Sequence, residues 1–372
     1  MINLLKNFFV LFMFFIPTLG FIITPNDLVI EGENRTINQL PKFDLENKEY
    51  FGKLINFFND RLLFKNYINQ NLYAIYKDYF DDFDFNKGQF SLKGQNGWMF
   101  GGDILAQVYS QHTTDIRINF KDLNKKIAKM KPLKEATNVP FYLVVGPDKH
   151  GIYPEYMNKF ISTPGKNRHF NKLKPYFEEA GFKVIDNYDV LRNSKDPTNK
   201  NSLYLADDTH WNLKGAYVAF NYTMSQVLDD FKPLNQKFEF TKHLNGDLIR
   251  NIKNPSKDIL DNATAIECKA YEVKEVDLNS NSTKFKTLEN LRNAPPCEYG
   301  KRYLNDNAID QRKIMIICDS YGISFLPNCV EYFKEVVFKT RYHLNVNQMV
   351  DEIRKEKPDL ILFINVERLL VY

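Results

Sequence analysis

The alternation of apolar and polar positions predicts a body in which helices and strands follow one another. Apolar residues recur three and four positions apart from about 50 to 80, the period of an amphipathic helix or helix pair. Further along, short continuous apolar runs are typical of buried parallel strands. The predicted strands are 139–145, 182–186, 313–318, 335–338 and 360–366, and the predicted helices are 121–137, 172–180, 214–231, 323–333 and 346–355. This alternation predicts a three-layer α/β fold with a mainly parallel sheet.

Near its beginning the chain has a single long run without charged residues. Residues 8 to 23 carry no charged side chain and follow Lys6; the length of this run lies between a signal-peptide core and a full membrane span. Few small residues suit a cleavage site, so we expect an uncleaved anchor rather than a cleaved signal. The sequence therefore predicts a signal anchor or signal peptide in residues 1–24, a polar tether in 25–48 and an exported domain in 49–372.

The alternation of predicted helices and strands is interrupted between about 236 and 310. Asn, Lys, Pro and Ser dominate this segment around short apolar patches, a composition typical of turns and loops. We expect an insertion here, either a small β-subdomain or a loop-rich one.

Composition narrows the function classes. The chain of 372 residues is 44% hydrophobic, which is enough for a full core. Its net charge of +4 is small and its charged residues are interspersed, so the basic surface of a nucleic-acid-binding protein is excluded. The cysteines form no CxxC pair or Cys/His cluster that could hold zinc. In an oxidising compartment Cys268 and Cys297 could pair, whereas Cys318 and Cys329 are expected to be packing thiols.

Reacting groups in α/β folds collect at the carboxyl ends of strands. The apolar run KIMIIC is followed there by Asp319-Ser320-Tyr321-Gly322 and then by a predicted helix. A serine in such a turn lies close to helix N–H groups that could stabilise an oxyanion. An ordinary helix N-cap is the alternative, because Asp and Ser are preferred at that position.

The stretch LADDTHWNLKG, 205–215, joins two acids to an imidazole and an indole. Asp208 and His210 are two positions apart, so in extended backbone they point the same way and the carboxylate could orient the imidazole. Asp207 is three positions from His210, so in extended backbone its side chain would point to the opposite face. A surface turn or a helix cap would use the same residues. The other histidines form no ligand-spaced pair, so we expect no metal site.

A third stretch, VVGPDKHGIYPEY at 144–156, also follows a predicted strand. Lys149 and His150 could bind an anion or line a pocket there. A solvated turn fits the spacing equally well.

Six motifs together carry a family resemblance. They are NFFNDR (56–61), NGWMF (96–100), GPDKHGIYPEY (146–156), DTHWN (208–212), IICDSYG (316–322) and NVERLL (365–370). In this order they resemble the alginate O-acetylation proteins AlgJ and AlgX and their SGNH-hydrolase-like relatives. The resemblance runs from about residue 50 to the end, apart from 236–310.

The resemblance implies an SGNH-hydrolase-like catalytic domain in which Ser320 is the nucleophile, His210 the base and Asp208 the residue that orients it. In ordinary SGNH esterases the serine precedes the Asp/His pair, so the motif order here is circularly permuted, as in AlgJ and AlgX. The glycine usual before the Asp-Ser pair is Cys318 in this chain. The separate Gly and Asn blocks of hydrolytic members are not found.

Because these blocks complete the oxyanion hole in hydrolytic members, other donors are expected here. They are the backbone N–H groups of Ser320 and Tyr321, with Lys149 as a helper. The expected pocket residues are Lys149, His150, Trp211 and Tyr321. Trp211 and Asn212 are also expected to pack and to fix the loop.

The implied activity is that of a periplasmic O-acetyltransferase that passes an acetyl group through an acetyl-serine intermediate to glycan hydroxyls, with no cofactor. Because acetyl-CoA is cytoplasmic, the donor would be a multi-spanning membrane acyltransferase, and the protein would be anchored to the inner membrane. An esterase with the same triad is the alternative within enzymes. A non-catalytic polysaccharide-binding scaffold is the alternative outside them.

Overall fold

The structure of the protein is a computed structural model that describes residues 25, 29–30, 35–44, 49–61, 91–101, 120–157, 168–196, 201–242, 246–248, 260–296, 298–342 and 345–371. The predicted signal segment, 1–24, lies outside these residues, as does the part of the predicted helical region that follows Arg61. Within the described residues, no helix is both long and apolar enough to cross a membrane.

Strands and helices alternate as the sequence predicts. The strands are β1 (Val29–Ile30), β2 (Arg35–Thr36), β3 (Ser91–Lys93), β4 (Met99–Gly101), β5 (Phe141–Gly146), β6 (Lys183–Asp186), β7 (Phe238–Thr241), β8 (Asn262–Ala265), β9 (Glu272–Asp277), β10 (Thr283–Thr287), β11 (Lys301–Leu304), β12 (Asp310–Cys318), β13 (Phe333–Thr340) and β14 (Leu360–Val366). The α-helices are α1 (Tyr50–Asp60), α2 (Phe120–Glu135), α3 (Lys149–Ile152), α4 (His169–Glu179), α5 (Tyr188–Asn193), α6 (Leu213–Val227), α7 (Leu288–Asn293), α8 (Tyr321–Tyr332), α9 (Val346–Glu356) and α10 (Glu367–Val371).

One eight-stranded sheet organises the molecule, with the strand order β10-β9-β11-β13-β12-β14-β5-β6. The five strands from β13 to β6 pair in parallel. The three remaining strands pair antiparallel at the other side of the sheet. The prediction of a mainly parallel sheet is therefore confirmed.

Both faces of this sheet are covered by helices. On β14, Leu362 and Ile364 face the layer that contains α6 and α8, whereas Ile361 and Phe363 face the layer that contains α2, α4 and α9. All four side chains are at most 4% exposed. Because successive strand residues point to opposite faces, a continuous apolar run is what a sheet buried on both sides requires.

The carboxyl ends of β12, β14 and β5 lie side by side at one edge of the sheet. After β12 the chain enters α8 on one face, and after β14 it enters α10, which packs on the other. Where connections diverge to opposite faces, open α/β sheets form a crevice in which ligands bind. Ser320 lies in the turn that follows β12, and Lys149 is the first residue of α3, which follows β5.

The segment from about 236 to 310, expected to be an insertion, contributes to the main sheet. β7 and β8 form a separate antiparallel pair. β9, β10 and β11, in contrast, extend the main sheet through the pairing of β11 with β13. These strands cover an edge that β13 would otherwise expose to strand addition from another chain.

Two of the cysteines are packing residues, as predicted. Cys318 and Cys329 are fully buried free thiols. Cys268 is also free and half-buried, whereas Cys297 lies outside the described residues.

Candidate active site

The short connection between β12 and α8 is a tight turn around Asp319, here named the nucleophile turn because it carries Ser320, the predicted nucleophile. This carboxylate is fully buried and accepts hydrogen bonds from the N–H of Tyr321 at 2.9 Å and from the N–H of Val366 at 2.7 Å. Burial raises the pKa of Asp319 above its usual value, although the two N–H donors oppose the rise. Asp319 thus ties the turn to the end of β14 and leaves Ser320 partly exposed at the edge of the sheet.

Close packing behind the nucleophile turn depends on Gly322. A Cβ at this position would lie 2.3 Å from Cys318 Sγ and 2.5 Å from Cys318 Cβ. Cys318 stands where the family resemblance leads one to expect glycine, so the residue without a side chain in this contact is Gly322. The first turn of α8 can approach β12 this closely only because one of the two positions is glycine.

Replacing Gly322 with alanine is expected to displace the first turn of α8 and Ser320 with it. We expect a loss of about 1–3 kcal/mol in the free energy of unfolding, the usual cost of overpacking. Chemical denaturation measures this loss, and the rate of Ser320 labelling by a sulfonyl fluoride reports the displacement. In the double variant Cys318→Gly/Gly322→Ala the clash is gone, so both quantities should largely recover. A double variant no better than the single one would contradict this account of the turn.

The turn at 205–211, here named the DTHW turn after its last four residues, brings Asp208 and His210 into one hydrogen-bonded row with Ser320. His210 Nε2 lies 2.7 Å from Ser320 Oγ, and His210 Nδ1 lies 2.5 Å from Asp208 Oδ1. The backbone here is a tight turn, not the extended segment expected from the sequence. The Leu205 N–H donates to His210 O at 3.2 Å, and the His210 N–H donates to Asp208 Oδ1 at 2.9 Å. Self-bonding within the turn, rather than strand alternation, therefore brings Asp208 to the imidazole.

The charges of this row suit removal of a proton from serine. Burial alone would raise the pKa of Asp208, but the hydrogen bond and charge of His210 hold it well below its usual range. Burial lowers the pKa of His210, yet Asp208 and Asp247 together raise it above its ordinary value. With Asp208 ionised and bonded to Nδ1–H, Nε2 is the acceptor that faces Ser320 Oγ. Such an arrangement can activate a serine hydroxyl as a nucleophile.

Lys149 is enclosed and does not face the site. Its Nζ donates to the backbone carbonyls of Leu205 at 2.9 Å, Ala206 at 3.0 Å and Asp208 at 2.5 Å, which uses all three ammonium donors. The residue is 2% exposed, and burial lowers the pKa of Lys149 to about 8. The prediction that Lys149 helps an oxyanion or lines the pocket is therefore wrong, because no N–H remains for a ligand. Lys149 instead holds the turn that carries Asp208.

The other predicted pocket residues are also buried. His150, Trp211 and Tyr321 are at most 3% exposed, so they do not line an open pocket. Trp211 Nε1 donates to Tyr321 O at 3.1 Å, and the Tyr321 hydroxyl donates to Thr209 O at 2.8 Å. These bonds join the DTHW turn to the nucleophile turn. The packing role of Trp211 and the loop-fixing role of Asn212, which caps α6, are confirmed.

Of the two backbone N–H groups predicted to bind an oxyanion, one already has a hydrogen-bond acceptor in this structure. The Tyr321 N–H is engaged by Asp319 Oδ1 at 2.9 Å, which corrects the expectation that it is free to bind an oxyanion. The Ser320 N–H has no acceptor among the described residues. It remains the predicted donor.

Motifs that lie far apart in the sequence meet behind this site. Trp98 of NGWMF stacks on Tyr156 with 4.6 Å between ring centroids, and Lys149 Nζ lies 5.5 Å from the centroid of the Trp98 ring. The N–H of Arg368, from NVERLL, donates to Asp148 Oδ2 at 3.0 Å. NGWMF therefore packs against the lysine that holds the DTHW turn, and NVERLL bonds to the neighbouring residue, Asp148.

Residues 246–248 also contact the site, although no motif of the sequence points to them. The Asp247 N–H donates to Asp208 Oδ2 at 2.9 Å, and Asp247 Oδ2 lies 3.8 Å from His210 Nδ1. The irregular composition of this part of the chain contains no periodic signal that points to them.

Asp208, His210 and Asp247 also place three possible metal-ligand atoms within 4.8 Å of one another. However, both ring nitrogens of His210 already have partners, Asp208 at Nδ1 and Ser320 at Nε2. A metal ion bound by this imidazole would have to break the hydrogen-bonded row. The expectation of no metal stays a prediction.

The chain is similar to known proteins in both sequence and fold. The model of a family described as SGNH hydrolase-like domain, acetyltransferase AlgX, matches residues 92–287. Among solved structures, Bacillus cereus PatB1 is 16% identical and has a TM-score of 0.55, covering 77% of this chain and 98% of its own. A DHHW family protein from Eubacterium siraeum is 19% identical with a TM-score of 0.50, covering 76% and 95%. The O-acetyltransferase domain of Pseudomonas putida AlgJ is 14% identical with a TM-score of 0.47, covering 75% and 91%. No curated protein sequence matches the chain.

The likeness to PatB1 and to the DHHW family protein shows a shared α/β fold. The family match extends over more than half of the chain, from β3 through the DTHW turn to β10. It therefore includes Asp208, His210 and the lysine that holds their turn. On this match, the chain belongs to the SGNH hydrolase-like family of the acetyltransferase AlgX type.

Proposed function

We propose that the protein is an O-acetyltransferase that moves an acetyl group, through an acetyl-serine intermediate, onto hydroxyls of a cell-surface or secreted glycan. The observation that carries this proposal is the hydrogen-bonded row from Asp208 through His210 to Ser320. Membership of the AlgX-type family supports acetyl transfer as the chemistry. The row favours an enzyme over a polysaccharide-binding scaffold, because a scaffold has no need of an imidazole at hydrogen-bond distance from a serine hydroxyl.

In the first step, His210 Nε2 takes the proton of Ser320 while Oγ forms a bond to the carbonyl carbon of the acetyl donor. The Ser320 N–H and the N-terminal end of α8 stabilise the oxyanion, since a helix N-terminus favours negative charge. The bond between the acetyl carbon and the leaving oxygen then breaks, and His210 returns the proton to that oxygen. Ser320 is left acetylated.

In the second step, a glycan hydroxyl gives its proton to His210 Nε2 and attacks the acetyl-serine carbonyl. Ser320 Oγ leaves and regains a proton from His210. Asp208 stays ionised throughout and stabilises the imidazolium. If water takes the place of the glycan, the product is acetate, so transfer depends on excluding water from the acyl-enzyme.

An esterase that uses the same three residues is the second candidate. The His210 side chain is 25% exposed, which leaves water a route to the base. The two candidates share the first step and differ only in the acceptor of the second.

The proposal includes a location and a partner. Residues 1–24 would anchor the protein in the inner membrane, so that residues 49–372 work in the periplasm. A multi-spanning membrane acyltransferase would supply the acetyl group from the cytoplasm. The motif order would be circularly permuted relative to ordinary SGNH esterases, because Asp208 and His210 precede Ser320.

Transfer and hydrolysis are separated by one assay on the purified full-length chain. The acetyl donor is 4-nitrophenyl acetate, and the acceptors are short oligomers of N-acetylglucosamine or of a uronic acid. Acetylated oligomer in the mass spectrum supports the transferase, whereas free acetate alone supports the esterase. Oligomer binding without either product would overturn both in favour of the scaffold.

The rate of acetyl-ester turnover is expected to fall on the acidic side with a midpoint above the ordinary histidine pKa. Burial lowers the pKa of His210, but Asp208 and Asp247 more than offset this and raise it. Below the raised pKa His210 is an imidazolium that cannot accept the Ser320 proton, so kcat/KM falls as the pH falls. The profile is measured from about pH 5 to 9, and a midpoint at or below about 6.5 would contradict the prediction.

A further inference from the structure

Three consecutive residues of the segment 236–310 donate backbone hydrogen bonds to the DTHW turn. The Gly246 N–H donates to Asp207 Oδ2 at 3.1 Å, the Asp247 N–H to Asp208 Oδ2 at 2.9 Å and the Leu248 N–H to Asp207 O at 3.1 Å. A Cβ on Gly246 would lie 2.0 Å from Asp207 O, so only glycine permits this approach. Both acids of the turn are thus held by backbone donors from about forty residues further along the chain.

The Asp247 side chain adds a second tether to the same turn. It accepts hydrogen bonds from the Thr209 N–H at 2.8 Å and from the Thr209 hydroxyl at 2.6 Å. Thr209 is the residue between Asp208 and His210, so this tether limits rotation of the backbone that sets both side chains. The Thr209 hydroxyl oxygen also lies 3.4 Å from His210 Nδ1.

Asp247 also places a second carboxylate beside the imidazole, with Oδ2 3.8 Å from His210 Nδ1. The other titratable or charged groups that face His210 are Asp208, Tyr321 of α8 and Arg368 of α10. Arg368 opposes protonation of the ring, whereas the two carboxylates favour it. A carboxylate at this distance and about one third exposed interacts appreciably with an imidazolium.

We propose that Asp247 is a positioning residue of the catalytic site, which tethers Thr209, holds Asp208 through its backbone N–H and stabilises the protonated form of His210. The proposal rests on the proposed function, because Asp247 can affect catalysis only if Asp208, His210 and Ser320 act as proposed there. Asp247 does not touch the reacting atoms; it acts through Asp208, Thr209 and His210. The segment 246–248 is therefore part of the proposed active site.

The test compares Asp247→Asn and Asp247→Ala with a matched control, Asp261→Asn, in the full-length chain. Asp261 is also a carboxylate that accepts a backbone N–H from this part of the chain, that of Ala206, but it does not face His210. The assay is the pH dependence of 4-nitrophenyl acetate turnover, with kcat and KM determined separately. Circular dichroism and melting temperature verify that each variant is folded.

We expect Asp247→Asn to lower the midpoint of the acidic limb by about half a pH unit or more, because the asparagine has no charge to stabilise the imidazolium. Its kcat should fall about tenfold with KM nearly unchanged, and Asp247→Ala, which loses both bonds to Thr209, should fall further. Asp261→Asn should leave the midpoint in place. A folded Asp247→Asn variant with the wild-type midpoint and kcat would overturn the proposal.

A second measurement does not depend on activity. In the Ser320→Ala background, the His210 ring is titrated by NMR with and without Asp247→Asn. A lower His210 pKa in the Asp247→Asn protein supports the proposal even if the wild-type protein turns over no acetyl ester, which would count against the proposed function alone. An unchanged His210 pKa counts against the role of Asp247 alone.

Discussion

Replacing Ser320 with alanine is expected to abolish acetylation of the enzyme and to lower acetyl-ester turnover by about a thousandfold or more. Ser320 Oγ is the only hydroxyl bonded to His210 Nε2 among the described residues, at 2.7 Å. The alanine leaves the base and Asp208 in place but removes the atom to which the acetyl group would be joined. Loss of one member of such a row removes nearly all of the rate that the row provides, because its members act as a unit.

The measurement is intact mass spectrometry after brief exposure to 4-nitrophenyl acetate, combined with steady-state release of 4-nitrophenol. The wild-type chain should gain the mass of one acetyl group, and peptide mapping should locate it on Ser320. Ser225→Ala is a matched control, because Ser225 is an exposed serine of α6 whose hydroxyl, among the described residues, bonds to Tyr222 O and to the Gln226 side chain and not to His210. Full activity of Ser320→Ala, or an acetyl group on another residue, would refute the assignment of the nucleophile.

Replacing Lys149 with methionine is expected to lower the free energy of unfolding by about 2–4 kcal/mol and to reduce turnover at the same time. The methionine can occupy the space of the lysine side chain beside Trp98 and Phe100 but cannot donate a hydrogen bond. The carbonyls of Leu205, Ala206 and Asp208 then lose their shared donor, and each buried acceptor left unpaired costs about 1–3 kcal/mol. Partial access of water to Leu205 and Asp208 keeps the total below the sum of three full penalties.

Urea denaturation at pH 7 measures the stability change, since the pKa of Lys149, lowered by burial to about 8, leaves it mostly protonated there. Lys125→Met on α2 is the control, because Lys125 is exposed and its loss should change stability by less than about 0.5 kcal/mol. Turnover should fall in Lys149→Met because Asp208 sits on the turn that loses its support. Equal stabilities of Lys149→Met and the wild-type chain would mean that the turn is held by its other contacts.

The strands of the parallel sheet were predictable because burial on both faces leaves a direct record in the sequence. β14 occupies the predicted range, Leu360–Val366, and β12 contains the predicted run 313–318. Every residue of β14 is buried, and a strand of this kind needs no alternation of polar and apolar positions to be recognised. The helices between the strands followed from their own period, with ends displaced by a few residues.

The contact between Asp208 and His210 was also predictable, since two residues so close in sequence need only a local turn to meet. The predicted reason was wrong, because the turn is closed by its own hydrogen bonds and not extended. The position of Ser320 relative to His210 followed from the family resemblance, not from spacing. More than a hundred residues of chain separate the two, and no local pattern extends over that distance.

The sequence by itself determined the layered α/β fold and the burial of Cys318 and Cys329. Through the family resemblance it also predicts Ser320 as the nucleophile, His210 as the base and Asp208 as the acid that orients it. Only the tertiary structure decided that Lys149 is a support rather than an anion ligand, that the Tyr321 N–H is engaged by Asp319, and that Asp247 stands beside His210. The physical reason is that apolar burial leaves a periodic signature along the chain. The partner of a buried polar group, in contrast, is whichever donor or acceptor the packed loops bring near it.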